Sequence, residues 1–140
     1  MVLDAAKHLL GIDGVRLELH IPAEIARNGT QFDGKLTVKT NHDDHVMKLT
    51  IRIVQEMVLG IGDTLAVDTT ELGKAVIGEP FDIKAHEVRE FDFTLPYHHE
   101  LDEGVEIRGA TSEVVEFFVI AEADVRHGLD PHDKRAIHFV

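Results

Sequence analysis

The sequence predicts an all-β protein: a single antiparallel, immunoglobulin-like β-sandwich of about seven strands. Three observations carry this expectation. Apolar residues recur with a period of two in several short stretches, which marks strands with one face on a core. Turn residues punctuate those stretches at short intervals. No stretch between the strands has the dozen or more helical residues that a parallel crossover needs. A length of 140 residues fits one domain able to bury a core without staples. The expected layout is a short N-terminal helix over residues 1–12 and a sandwich over 13–140.

The chain in order supports this. Residues 2–10 place apolar side chains three and four apart and stop at Gly11, as a short helix would. Val15, Leu17, Leu19 and Ile21 then alternate with polar residues up to Pro22. After the Asn28-Gly29 turn, Phe32, Leu36 and Val38 form a second strand with Gly34 inside it. An interior glycine marks a bulge or a close approach of backbone. Met47, Leu49, Ile51 and Ile53 give the cleanest alternation in the chain. Residues 60–73 show no sustained pattern and read as a long loop or an irregular edge hairpin. Val76 and Ile77 lead through Gly78-Glu79-Pro80 to Phe81 and Ile83, where proline suits an edge. Phe91, Phe93 and Leu95 make the next strand, ended by Pro96.

The most apolar stretch lies at residues 113–125. Its odd positions, Val115 to Val125, are all apolar, while its even positions carry Glu116, Glu122 and Asp124 but also Phe118 and Ile120. Apolar residues on both faces predict an interior strand, with Ile51, Ile53, Phe91 and Phe93 beside or across from its odd face. A last strand occupies residues 136–140, after the turn at Gly128-Leu129-Asp130-Pro131.

Composition excludes several functions. With 26 acidic against 14 basic residues the net charge is −12, so the chain lacks the basic face that nucleic acid requires. The same charge disfavours an anionic membrane surface, and no run is apolar enough to insert into a bilayer. The absence of cysteine removes disulfides, thiol nucleophiles and thiolate metal sites, and fits a cytoplasmic setting. Ser112 is the only serine and sits in no nucleophile elbow, and no glycine-rich phosphate loop is present. The chain is expected to be no enzyme, with no cofactor.

Six of the ten histidines lie in three polar clusters: His42-Asp43-Asp44-His45, His98-His99-Glu100 with Asp102 and Glu103, and His127 with Asp130, His132 and Asp133. Their imidazoles and carboxylates suit zinc, copper or nickel. Ligation requires that they converge, and their spacing matches no zinc pattern, so no metal residue is assigned. A small-ligand or metal-binding β-domain built on these loops is the alternative function. The first reading is protein binding, because an open sandwich exposes edge strands to which a partner can add a strand. Candidate interface residues are Val76 and Ile77 at the expected edge, and Phe118 and Ile120, to be covered by the N-terminal helix or by a second subunit. The partner is an unidentified protein or a second copy of the chain.

Several of these segments together resemble arrestin-like domains. Residues 25–38, with Asn28-Gly29-Thr30-Gln31-Phe32-Asp33-Gly34 entering a strand, are similar to the start of such domains. Residues 81–96, ending Phe91-Asp92-Phe93-Thr94-Leu95-Pro96, look like the family's strand with that ending. Residues 119–135 are similar to the bacterial and archaeal sporulation-control (SpoOM) branch. The resemblance implies an arrestin-like sandwich without enzymatic activity, acting as an adaptor or regulator through protein contacts. Arrestin-like proteins commonly carry two sandwiches in tandem, whereas this sequence has one. The paired lysines with which animal arrestins engage phosphate have no match here.

Overall fold

The computed structural model describes residues 14–98 and 112–140. The expected helix over residues 1–12 lies outside the described residues. Nine strands follow in chain order: β1 (Arg16–His20), β2 (Glu24–Ile25), β3 (Gln31–Lys39), β4 (Asp44–Ile61), β5 (Thr64–Ile77), β6 (Phe81–Ile83), β7 (Val88–Pro96), β8 (Ser112–Val125) and β9 (His132–Phe139). Among the described residues there is no helix.

The strands form two sheets. One has three strands in the order β1-β3-β7, and the other six in the order β2-β9-β8-β4-β5, with β6 also pairing β4. Inward residues of both sheets share one core. Leu19, Leu36, Val38, Phe93 and Leu95 come from the small sheet, and Leu49, Ile51, Ile53, Val119, Ala121 and Ile137 from the large one. Each fully buried Leu, Ile or Val contributes roughly 1.5–3 kcal/mol through the water it sheds. The odd face of β8 lies where its alternation placed it. Val119 and Ala121 pair with Ile53 and Ile51 of β4, and Phe93 joins the same core from the facing sheet.

Two expectations need correction, and one open alternative is decided. Among the described residues the strands number nine, not about seven. The pairing is not purely antiparallel, since Glu24 and Ile25 of β2 lie parallel to His138 and Phe139 of β9. Two residues are too few to show any alternation in sequence. Of the two readings of residues 60–73, the structure shows the edge hairpin and not the long loop. These residues are the far end of a long hairpin in which β4 and β5 pair from Ile61↔Thr64 to Leu49↔Ile77 around Gly62-Asp63. Gly62 takes φ 59, in the left-handed region open to glycine at a two-residue hairpin turn.

The pattern of β5 is hidden by a register shift. Ile53 pairs with Gly73 but Val54 pairs with Glu71, so Leu72 is the extra residue of a bulge. An extra residue exchanges the two faces of the strand. Before the bulge, Leu65, Val67, Thr69 and Glu71 share the outer face with Val58, Glu56 and Val54 of β4. After it, Gly73, Ala75 and Ile77 face inward beside Ile53, Ile51 and Leu49.

Glycine permits two close approaches. A Cβ on Gly34 would strike the ring of Phe93, its Cα partner on β7, so this glycine marks close packing without a bulge. A Cβ on Gly73 would run into the backbone carbonyl of Pro96, where β5 crosses the end of β7. Beyond that crossing, the β4–β5 hairpin and the first half of β8 extend past the small sheet as a three-stranded blade.

Candidate binding surface

The blade brings together the features that bear on binding. Its rim is β5, the terminal strand of the large sheet. Residues 62–70 are exposed throughout, including Leu65 at 75% and Val67 at 64%. From Ile53 to Gly73 the chain carries no lysine or arginine, but four carboxylates, Glu56, Asp63, Asp68 and Glu71. β8 on the other flank of β4 likewise has no basic residue.

The proximal end of the same rim is closed. The His98 amide donates to the Leu72 carbonyl at 2.9 Å, Lys74 follows, and the turn at Gly78-Glu79-Pro80 leads into β6. Val76 faces outward and is exposed, as an edge residue would be, whereas Ile77 is half-buried and packs against the core. The two are neighbours in sequence on opposite faces of the strand.

Phe118 and Ile120 lie on the outer face of β8, opposite Val54 and Arg52 of β4. Both are half-buried. The Lys134 ammonium stands 4.0 Å above the centre of the Phe118 ring and reaches Glu56 Oε1 at 2.7 Å. The Arg52 guanidinium meets Glu122 at 2.6 Å on the same face. Charged side chains thus shelter part of the apolar surface on the even face of β8. A lysine can do so because its stem is apolar and its charge is attracted to the ring face.

The histidine clusters are largely taken up by the backbone. Asp44 Oδ1 accepts from the amides of His45 at 2.7 Å and His127 at 3.2 Å, which ties the first cluster to the third. Asp43 accepts from the Ala85 amide and Asp130 from the Val125 amide. Asp133 accepts from the Leu19 amide at 2.8 Å, linking β9 to β1. The His45 ring instead meets Asp82, Nδ1 to Oδ1, at 2.6 Å. That hydrogen bond, first among the causes, holds the Asp82 carboxyl below its usual range. His98 stands apart against Leu72, and His99, Glu100, Asp102 and Glu103 lie outside the described residues. Among the described residues, no three His, Asp or Glu side chains gather to hold a metal.

Two other features are structural in character. Burial raises the pKa of the Tyr97 hydroxyl, which donates to the Ala26 carbonyl and fastens the chain before β3 to the end of β7. A groove of about 380 Å³ opens where β9 leaves β8 to pair with β2, lined by Val115, Phe117, Ile137 and Phe139 together with Arg27, Glu116 and His138. Among the described residues, no helix is long and apolar enough to cross a membrane.

Two packed sheets with an open terminal strand define a β-sandwich with one projecting blade. The chain belongs to the SpoOM protein family, whose profile matches residues 6–139. No curated protein matches it in sequence. Among solved structures it is similar to the sporulation control protein Spo0M from Bacillus subtilis, with a TM-score of 0.71 and 17% identity. The match covers 90% of this chain and 49% of that one, so this chain spans about half its length. At that identity the likeness is one of fold.

The sequence left the blade undecided between a long loop and an irregular edge hairpin. Its available signal was the pair Gly62-Asp63 between two apolar, β-branched runs, Val58-Leu59 and Leu65-Ala66-Val67, which is a hairpin signature.

Proposed function

We propose that the chain is a non-enzymatic, arrestin-like regulatory domain that works by binding a protein partner. The observation that carries this reading is the open rim of β5, where 62–70 are exposed and no other strand is paired on that side among the described residues. An unpaired edge offers a row of amides and carbonyls that a partner strand can complete. Membership of the SpoOM family, together with the likeness in fold to a protein described as a sporulation control protein, favours a regulatory role. Phe118, Ile120 and Val76 add apolar area on the outer face of the same sheet, the kind of surface a partner or a second copy covers.

The test is affinity capture from native lysate with the whole chain, followed by purification of any recovered protein and measurement of its stoichiometry. A saturable complex with one partner is the expected result. Repeated recovery of no protein, while a metal or metabolite co-purifies at one equivalent, overturns the reading in favour of a ligand-binding domain.

A further inference from the structure

Edge strands in folded proteins are normally guarded by proline, lysine, a bulge, short length or a covering segment. The proximal part of β5 has such guards: the bulge at Leu72, the His98 amide on its carbonyl, Lys74, and Pro80 shortly beyond. Among the described residues, 64–71 have none of them. They pair with β4 on one side, contain no proline or lysine, and leave Leu65 and Val67 in solvent.

The two faces of this segment differ in chemistry. Outward it presents Leu65 and Val67 beside Val58 of β4, and inward it presents Ala66, Asp68 and Thr70. A strand added along the rim places its own side chains alternately on those faces. The outward ones meet apolar neighbours and the inward ones meet the Asp68 carboxylate, within a blade that has no lysine or arginine from Ile53 to Gly73. A second copy of the chain is a poor occupant. It would bring another net charge of −12, and a second set of Asp63, Asp68 and Glu71, to the rim.

Resting on the protein-binding reading above, we propose that residues 64–71 accept an added strand from a basic partner, an extended segment in which apolar residues alternate with lysine or arginine. Backbone pairing supplies the attachment. The apolar residues settle against Leu65 and Val67, and the cations against Asp68, with Asp63 and Glu71 extending the negative field.

The probe is a capped, labelled peptide of alternating valine and lysine, with its glutamate counterpart as control, titrated into the whole chain by fluorescence anisotropy. The lysine peptide binds and weakens as salt rises, and the glutamate peptide does not bind. Asp68→Lys, at an exposed position, keeps its thermal midpoint. It lowers affinity for the lysine peptide by at least about five-fold and gains affinity for the glutamate peptide. Amide hydrogen exchange slows in residues 64–71 on binding. Equal binding of the lysine peptide by wild type and Asp68→Lys overturns the proposal, as does protection confined to β8 or β9. Light scattering that shows the chain pairing with itself through these residues, and excluding the peptide, also overturns it. A captured partner that binds wild type and Asp68→Lys alike removes this edge assignment and leaves the protein-binding reading standing.

Discussion

Replacing Gly73 with alanine tests how the blade is joined to the sandwich. A Cβ at this position overlaps the Pro96 carbonyl oxygen and comes within 3.0 Å of Ile53 Cγ2. The oxygen belongs to backbone, so it cannot swing aside as a side chain would, and β5 and the end of β7 must separate. Overpacking of this kind costs about 1–3 kcal/mol. Moving the two strands apart also strains the 2.9 Å bond from the His98 amide to the Leu72 carbonyl, worth about 0.5–1.5 kcal/mol. Against this, alanine is intrinsically better than glycine inside a strand by about 0.5–1 kcal/mol. The overlap wins, and Gly73→Ala is expected to destabilise by about 2 kcal/mol. Urea unfolding would show a lower midpoint at unchanged slope, with a fall of roughly 6–8 °C in Tm for a domain of this size. Thr70→Ala, an exposed position on the same strand, should stay within about 0.5 kcal/mol. If Gly73→Ala is as stable as wild type or more so, the crossing of β5 over Pro96 is not a tight contact and the account of the blade's attachment is wrong.

Two further predictions concern charge. Lys134→Met removes both the contact over Phe118 and the ion pair with Glu56; because the groups are partly exposed, the loss should be only about 0.5–1 kcal/mol, and smaller at high salt. A loss indifferent to salt would show that the lysine stem, not its charge, protects the ring. For Asp82, the His45 hydrogen bond lowers the folded-state pKa. Its stabilising effect is therefore present above the unfolded carboxylate value of about 3.9 and is lost as pH falls through the lower folded value. Asp82→Asn should flatten the acid limb of the stability profile below about pH 4, and an unaltered acid limb would dismiss the pairing.

How much of this was legible in the sequence depended on whether a strand lies on the core. β4 and β8 show strict alternation because their inner faces are covered by the small sheet, so every second residue from Leu49 to Ile53 and from Val119 to Ala123 had to be apolar. The turns around them were readable for the same local reason. The rim of β5 obeys no such rule. In residues 64–70 both faces meet solvent, so selection for burial imposes no period, and the bulge at Leu72 exchanges the faces where the strand reaches the core. β2 was invisible because a two-residue parallel pair is held by β9 and not by its own pattern.

The histidine clusters show the converse. Their composition permits metal binding, but the loop backbone claims the carboxylates of Asp43, Asp44 and Asp130 first, and the first and third clusters meet through Asp44 acting as an acceptor for amides. Spacing in sequence cannot show which donor a carboxylate will face.

The sequence by itself determined that this chain is all-β, that it carries a net charge of −12, and that β8 lies inside a sheet. These follow from periodicity, charge and burial, which are properties of short segments. Only the tertiary structure decided that β4 and β5 run on past the small sheet, that Lys134 shelters Phe118, and that the stretch without lysine or arginine forms an exposed rim. Those outcomes depend on which strands end first and which side chains meet across them, and contacts between distant residues fix both.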